Sequence, residues 1–251
     1  MKSLFRRRSA HVAPPRHRGV LFRCFKSLQW ALTFVVLIFL IIQLWFFGWL
    51  LWWKYVPPQE THFMSIRLSE LREKNPDARL SYQWVEYGQI SDNLKRALIA
   101  SEDAHFVEHE GFDWNGIQVA MQKNQKKGHF VAGGSTISQQ LAKNLFLNPH
   151  RSLLRKGQEA IITLMIEALW DKERIFEVYL NVIEWGNGVF GAQAAARHYY
   201  RASAARLSPR QAARLAAMAP NPRYYDSHPD AKGLARKTAI IQGRMGASQL
   251  P

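Results

Sequence analysis

The feature that most constrains this chain is an uninterrupted apolar run at residues 30–53, WALTFVVLIFLIIQLWFFGWLLWW, with no charge and only Thr33 and Gln43 as clearly polar side chains. In hydrocarbon a backbone must satisfy its own N–H and C=O groups, so the run is expected to form one helix. Its 24 residues would extend roughly 36 Å, enough for a hydrocarbon core of about 30 Å. Trp30, Trp45, Trp49, Trp52 and Trp53 fall within it, and the end positions suit rings that prefer the membrane interface. A cleavable signal peptide fits less well. Its apolar stretch is shorter, roughly 7–15 residues, and small residues follow it, whereas here Trp52, Trp53 and Lys54 follow.

Lys2, Arg6, Arg7, Arg8, Arg16, Arg18, Arg23 and Lys26 precede the run, and no acidic residue does. The positive-inside rule therefore predicts a basic cytoplasmic arm at 1–29, a transmembrane helix at 30–53 and an outer region beyond Lys54. Beside such a helix, the arm reads as a topology signal with attraction for lipid headgroups, not as a nucleic-acid site. The outer region keeps 26 basic against 19 acidic residues, a net +7, which calls for an anionic partner of its own. The single cysteine, Cys24, lies on the cytoplasmic side and excludes an intramolecular disulfide or a Cys-based zinc cluster.

Residues 54–80 mix Pro, polar and charged residues and read as a connector with one short helix, setting the domain at a distance from the bilayer. The rest, 81–251, is predicted to be mainly α. Apolar spacings of three and four recur at 92–106, 113–124, 135–147, 153–183, 189–200 and 208–219. Ser208-Pro209-Arg210-Gln211 is a helix start with a capping box, and 80–85 is the best, though weak, strand pattern.

Three clusters carry chemistry. In EDAHFVEHEG, Leu94, Leu98, Glu102 and Phe106 stand four apart, so a continuous helix would place Glu102 on an apolar face. Desolvation there would raise its pKa and make it a stronger base; the plainer alternative is a surface Glu at a helix end. His105 and His109 invite a metal reading with Glu108, but the two histidines lack a convincing third ligand nearby. In GGSTISQQLAKN, two glycines and an N-cap at Ser135 would present backbone N–H groups at a helix start. Ser135, Gln139 and Lys143 then follow in four-residue steps as a polar stripe; a capped surface helix is the alternative. In RSLLRKGQE, Arg155 and Glu159 are an i,i+4 pair, while Arg151, Arg155 and Lys156 would equally suit a diphosphate.

Together with KERIFEVYLN at 172–181 and GVFGAQAAARHYY at 188–200, these clusters resemble the peptidoglycan glycosyltransferases, glycosyltransferase family 51, in motif order and over roughly residues 82–222. The resemblance implies a lysozyme-like helical domain with a small membrane-facing lobe, placed at residues 114–131. It implies polymerisation of lipid II into glycan strands, with inversion at C1 and release of polyprenyl diphosphate. Glu102 would be the general base and Glu159 a second glutamate assisting at the diphosphate side. Ser135, Thr136, Gln139 and Gln140 would line the cleft, with Lys143, Arg151 and Arg155 neutralising the leaving group. Glu177 and Asn181 are read as structural. No cofactor is required, and a divalent metal has no support in the sequence. The expected partners are lipid II, the growing strand, the membrane and cell-wall or division proteins, with no nucleic acid. The expected location is the bacterial inner membrane with the catalytic domain outside the cytoplasm. The chain contains no Ser-x-x-Lys, so the monofunctional type is expected. Two rivals remain: a lytic transglycosylase or muramidase that cuts glycan, and a non-catalytic membrane scaffold.

Overall fold

The structure, a computed structural model, describes residues 17–129, 133–150 and 152–251, with side chains from Phe25 onward. Most of the basic arm, Phe130, Val131 and Arg151 thus lie outside the described residues. Two compact units divide after Trp45. The first holds the helix α1 (His17–Trp53) as far as Trp45, and from Phe25 to Trp45 it exposes a nearly continuous apolar surface. Its stretch Phe25–Trp53 is long and apolar enough to cross a membrane, which suits membrane anchoring.

The second unit runs from Phe46 to Pro251 and includes the last two turns of α1. These turns are packed into it: the Phe46 and Trp53 rings lie 5.0 and 5.2 Å from the Phe146 ring. The α1 carbonyls also find partners, with Leu50 O accepting from the Trp170 indole at 2.9 Å and Trp53 O from the Arg174 guanidinium at 2.7 Å. A cation at this helix end complements its dipole.

Residues 54–80 are not a spacer. They hold α2 (His62–Arg72), N-capped by Thr61, whose Phe63 and Met64 are buried and which packs on α5 (Ile137–Phe146). α5 packs in turn on α6 (Leu153–Leu169) and α7 (Lys172–Val182). A second group joins α3 (Asp92–Glu102) to α9 (Pro209–Met218) and α11 (Leu234–Arg244). α4 (Trp114–Lys127), α8 (Ala192–Tyr200) and α10 (Pro222–Ser227) complete the helices. A small sheet has the order β1-β3-β2: β1 (Ser81–Tyr82) runs parallel to β3 (Val189–Phe190), and β2 (Glu184–Gly186) antiparallel to it.

The mainly α reading holds, with local corrections. The pattern at 153–183 is two helices, because Asp171 accepts from Arg174 N–H at 2.7 Å and starts a new one; a short acidic side chain competes well for such orphan donors. Val189 and Phe190 join the sheet before Gly191, whose φ of 81° turns the chain into α8. The helix at 92–106 stops at Glu102, where Asp103 adopts φ −161°, ψ 79°.

Candidate active site

That stop positions the first functional group. Asp103 turns inward and accepts from Ile137 N–H at 2.9 Å and from His109 Nε2 at 3.0 Å. The other nitrogen of His109, Nδ1, accepts from Gly111 N–H at 3.1 Å, so Nε2 carries the proton and both ring nitrogens have protein partners. Gly111 has φ 88°, and a Cβ there would stand 2.8 Å from Thr163 Cγ2. The loop 103–111 is therefore a clasp between the end of α3 and the start of α5.

The N-cap of α5 is Thr136, one residue later than the sequence pattern placed it. Its hydroxyl accepts from Gln139 N–H at 3.2 Å and donates to Gly111 O at 2.7 Å, while Gln139 Oε1 accepts from Thr136 N–H at 3.1 Å. Both residues are buried and their polar atoms secure the helix start. Gln140 then faces Glu102, donating from Nε2 to Glu102 Oε2 at 2.9 Å and accepting from the Tyr179 hydroxyl at 3.1 Å. Ser101 donates to Glu102 Oε1 at 3.2 Å. Burial pushes the Glu102 carboxyl above the ordinary glutamate value; the hydrogen bonds from Gln140 and Ser101 and the Lys143 charge oppose it only in part. Burial and the same carboxylates hold the Tyr179 phenol well above its usual range, so it stays a donor.

Beside this pair opens a cleft of about 840 Å³, lined on one side by Ser135, Gln139, Gln140, Lys143, Arg155, Lys156 and Glu159. Glu159 is buried, and its Oε2 pairs with Arg155 Nη1 at 2.6 Å while Oε1 pairs with Lys156 Nζ. It is not the surface ion pair that spacing alone allowed. Ser135 is exposed and stands 3.5 Å from Lys156 Nζ. Burial lowers the Lys143 pKa, Glu159 and Glu102 act against that, and Arg155 adds to it. Of the predicted site residues, Thr136 is withdrawn beneath the loop, Glu102 is not itself among the lining residues and meets the cleft wall through Gln140, and Arg151 lies outside the described residues.

The opposite wall was not foreseen. It contains Phe63 and Arg67 from α2, Ile183 and Glu184, and the turn Ala219–Arg223. Arg67 donates to Glu184 at 3.1 Å and to Glu70 at 2.6 Å, and burial raises the Glu184 pKa. Tyr179 and Asp103 stand inside motifs whose regularity marked the region, but Arg67 has no local signal. Glu177 and Asn181 are structural, as read: Glu177 accepts from Tyr87 N–H at 2.8 Å, and Asn181 exchanges bonds with Val85 N–H and C=O at 3.0 and 2.9 Å.

A desolvated carboxylate at a helix end, next to a cleft with clustered cations, is equipped to take a proton from a hydroxyl and to offset an anionic leaving group. Such a site on a helical body, in a chain whose N-terminal helix is long and apolar enough to cross a membrane, suits an enzyme acting on hydroxyl-bearing substrates. The family model described as Transglycosylase matches residues 69–246, and the chain belongs to that family. A biosynthetic peptidoglycan transglycosylase of Dechloromonas aromatica (strain RCB) is 70% identical over 214 residues, covering 85% of this chain and 93% of its own. Proteins of the same description from Laribacter hongkongensis (strain HLHK9) and Methylobacillus flagellatus are 62% and 60% identical, covering 85% and 90% of this chain and 94% and 99% of their own.

Proposed function

We propose that this chain, a peptidoglycan glycosyltransferase of cell-wall synthesis, joins lipid II units with Glu102 as the general base. The observation that carries the reading is the Glu102–Gln140–Tyr179 chain beside the basic cleft. Glu102 takes the proton of the acceptor sugar's 4-hydroxyl, and that oxygen attacks C1 of the growing strand's terminal sugar. The C1–O bond to the diphosphate breaks on the opposite face, so the configuration inverts and the polyprenyl diphosphate departs with the electron pair. Lys143, Arg155 and Lys156 face its negative charge, with Arg151 assigned to the same cluster by its motif. Glu159 holds Arg155 and Lys156 in place. Ser135, Gln139 and Gln140 supply polar contacts to the sugars. No cofactor enters this scheme, because the diphosphate is already an activated leaving group.

The helix at Phe25–Trp53 anchors the enzyme where a lipid-linked substrate resides, and the eight basic residues before residue 30 favour a cytoplasmic N-terminus with the catalytic body outside, at the inner membrane. α4 exposes Trp114, Val119 and Met121 beside Lys123, Lys126 and Lys127, a composition suited to the membrane interface. Partners among cell-wall or division proteins belong to the same proposal.

The test is polymerisation by purified protein given lipid II in detergent and no nucleotide. Wild type should make glycan, and Glu102→Gln should lose at least about 10²-fold in rate, the ordinary worth of a general base. Degradation of finished glycan by wild type would favour the cutting rival. Undiminished polymerisation by Glu102→Gln would remove Glu102 from its role.

A further inference from the structure

The outer region's positive charge is concentrated away from the chemistry. Residues 54–196, which contain the cleft cations other than Arg223, carry 16 basic against 17 acidic side chains, whereas residues 197–251 carry ten against two. One of the two, Asp226, is already engaged by His198, Tyr199 and the backbone of Asn187. By contrast Arg197, Arg201, Arg206, Arg210, Arg236 and Arg244 are exposed, and among the described residues none of them forms an ion pair. So many unpaired like charges repel one another, and an anionic partner would relieve that.

Their elements adjoin. α11 packs along α9, and the Tyr200 hydroxyl at the end of α8 reaches Gln211 O at 3.4 Å. This group is built on α3, whereas the end of α1 is held by Phe146, Trp170 and Arg174 in the α5–α7 group. Large exposed apolar side chains are sparse here, with Tyr224 and Ile240 the ones present between residues 197 and 251, so the apolar core of a protein interface is missing. α9 also leads from the site: Ser101 Oγ beside Glu102 stands 3.3 Å from Ala216 O, and Ala219, Pro220 and Asn221 line the cleft.

We propose that the arginine-rich surface of α8, α9, α11 and the link 201–208 between α8 and α9 holds the newly made glycan strand through the carboxylates of its peptide side chains. This rests on the polymerase reading above, since that activity makes a repeating polyanion at the cleft end of α9. Multiple exposed charges on both partners give binding that is individually weak, collectively strong and screened by salt.

The test uses the full chain in detergent and three probes: soluble peptide-bearing glycan strands, the same strands stripped of peptides, and phosphatidylglycerol vesicles. Wild type should bind the peptide-bearing strands, less so as salt rises, and the stripped strands about tenfold or more weakly. The variant R201Q/R206Q/R210Q/R236Q should lose roughly tenfold in strand affinity, the combined effect of several exposed pairs, while its initial rate on lipid II stays at the wild-type value. Equal binding by variant and wild type, equal binding of stripped strands, or binding confined to the vesicles would overturn the proposal. If wild type binds strands but makes none from lipid II, the polymerase reading fails and the surface stands.

Discussion

A base for a sugar hydroxyl must be desolvated, and the same burial disfavours the charge it carries. Gln140 and Ser101 hydrogen-bond the Glu102 carboxylate and so hold its pKa below what burial alone would produce. Replacing Gln140 by Ala should therefore raise the Glu102 pKa further and move the acidic limb of the pH–rate profile to higher pH. A limb that stays put or moves down would contradict this. The stability consequence has the opposite look. Because the folded-state pKa is raised, Glu102 supports the fold while protonated, and that contribution is lost as pH rises through the folded value. At neutral pH Glu102→Gln should thus melt higher than wild type while losing activity, and the difference should shrink under acid conditions; thermal unfolding at two pH values measures it. The glutamate itself was legible from its motif. Its tether to Tyr179 through Gln140 was not, because 39 residues separate those two partners.

The elements that matter most for the site are two helix ends that meet. α3 stops at Glu102 because Asp103 leaves the helix to meet Ile137 and His109, and α5 starts where Thr136 can cap it. Thr136→Ala should destabilise by about 1–2 kcal/mol through the lost cap, and by more through the lost bond to Gly111 O. Thr136→Ser should recover most of this, as read from the midpoint of denaturant unfolding. Gly111→Ala should also destabilise, by at least about 1 kcal/mol, since an L side chain at positive φ is strained and would meet Thr163 at 2.8 Å. Periodicity located both helices but placed the cap one residue early. Ser135 and Thr136 are near-equal capping residues; Gln139, three residues after Thr136, completes a capping box for it alone, and the contact with Gly111 adds to that preference.

At the scale of the molecule, the end of α1 is a structural part of the catalytic body. A chain beginning at residue 46 should unfold at nearly the wild-type temperature. One beginning at residue 54 loses the buried Phe46, Leu50 and Trp53, each worth about 1.5–3 kcal/mol, together with the carbonyls that Trp170 and Arg174 engage. It should melt far lower, and equal melting of the two truncations would show that the contact contributes nothing. Short-range pattern was enough to read the apolar helix, the mainly α composition, the order of the motifs and the candidate glutamates, because hydrophobic spacing and capping act within a few residues. Packing decided the remainder. The connector's α2 became a wall of the cleft, Glu159 was buried between two cations, and the 153–183 pattern broke at Asp171, where Trp170 turns inward to Leu50. The cleft wall and the Trp170–Leu50 bond depend on partners tens of residues away, and the two local cations of Glu159 became a buried site only through the helices packed around α6; these contributions appear only once the chain has folded and water has been excluded from between them.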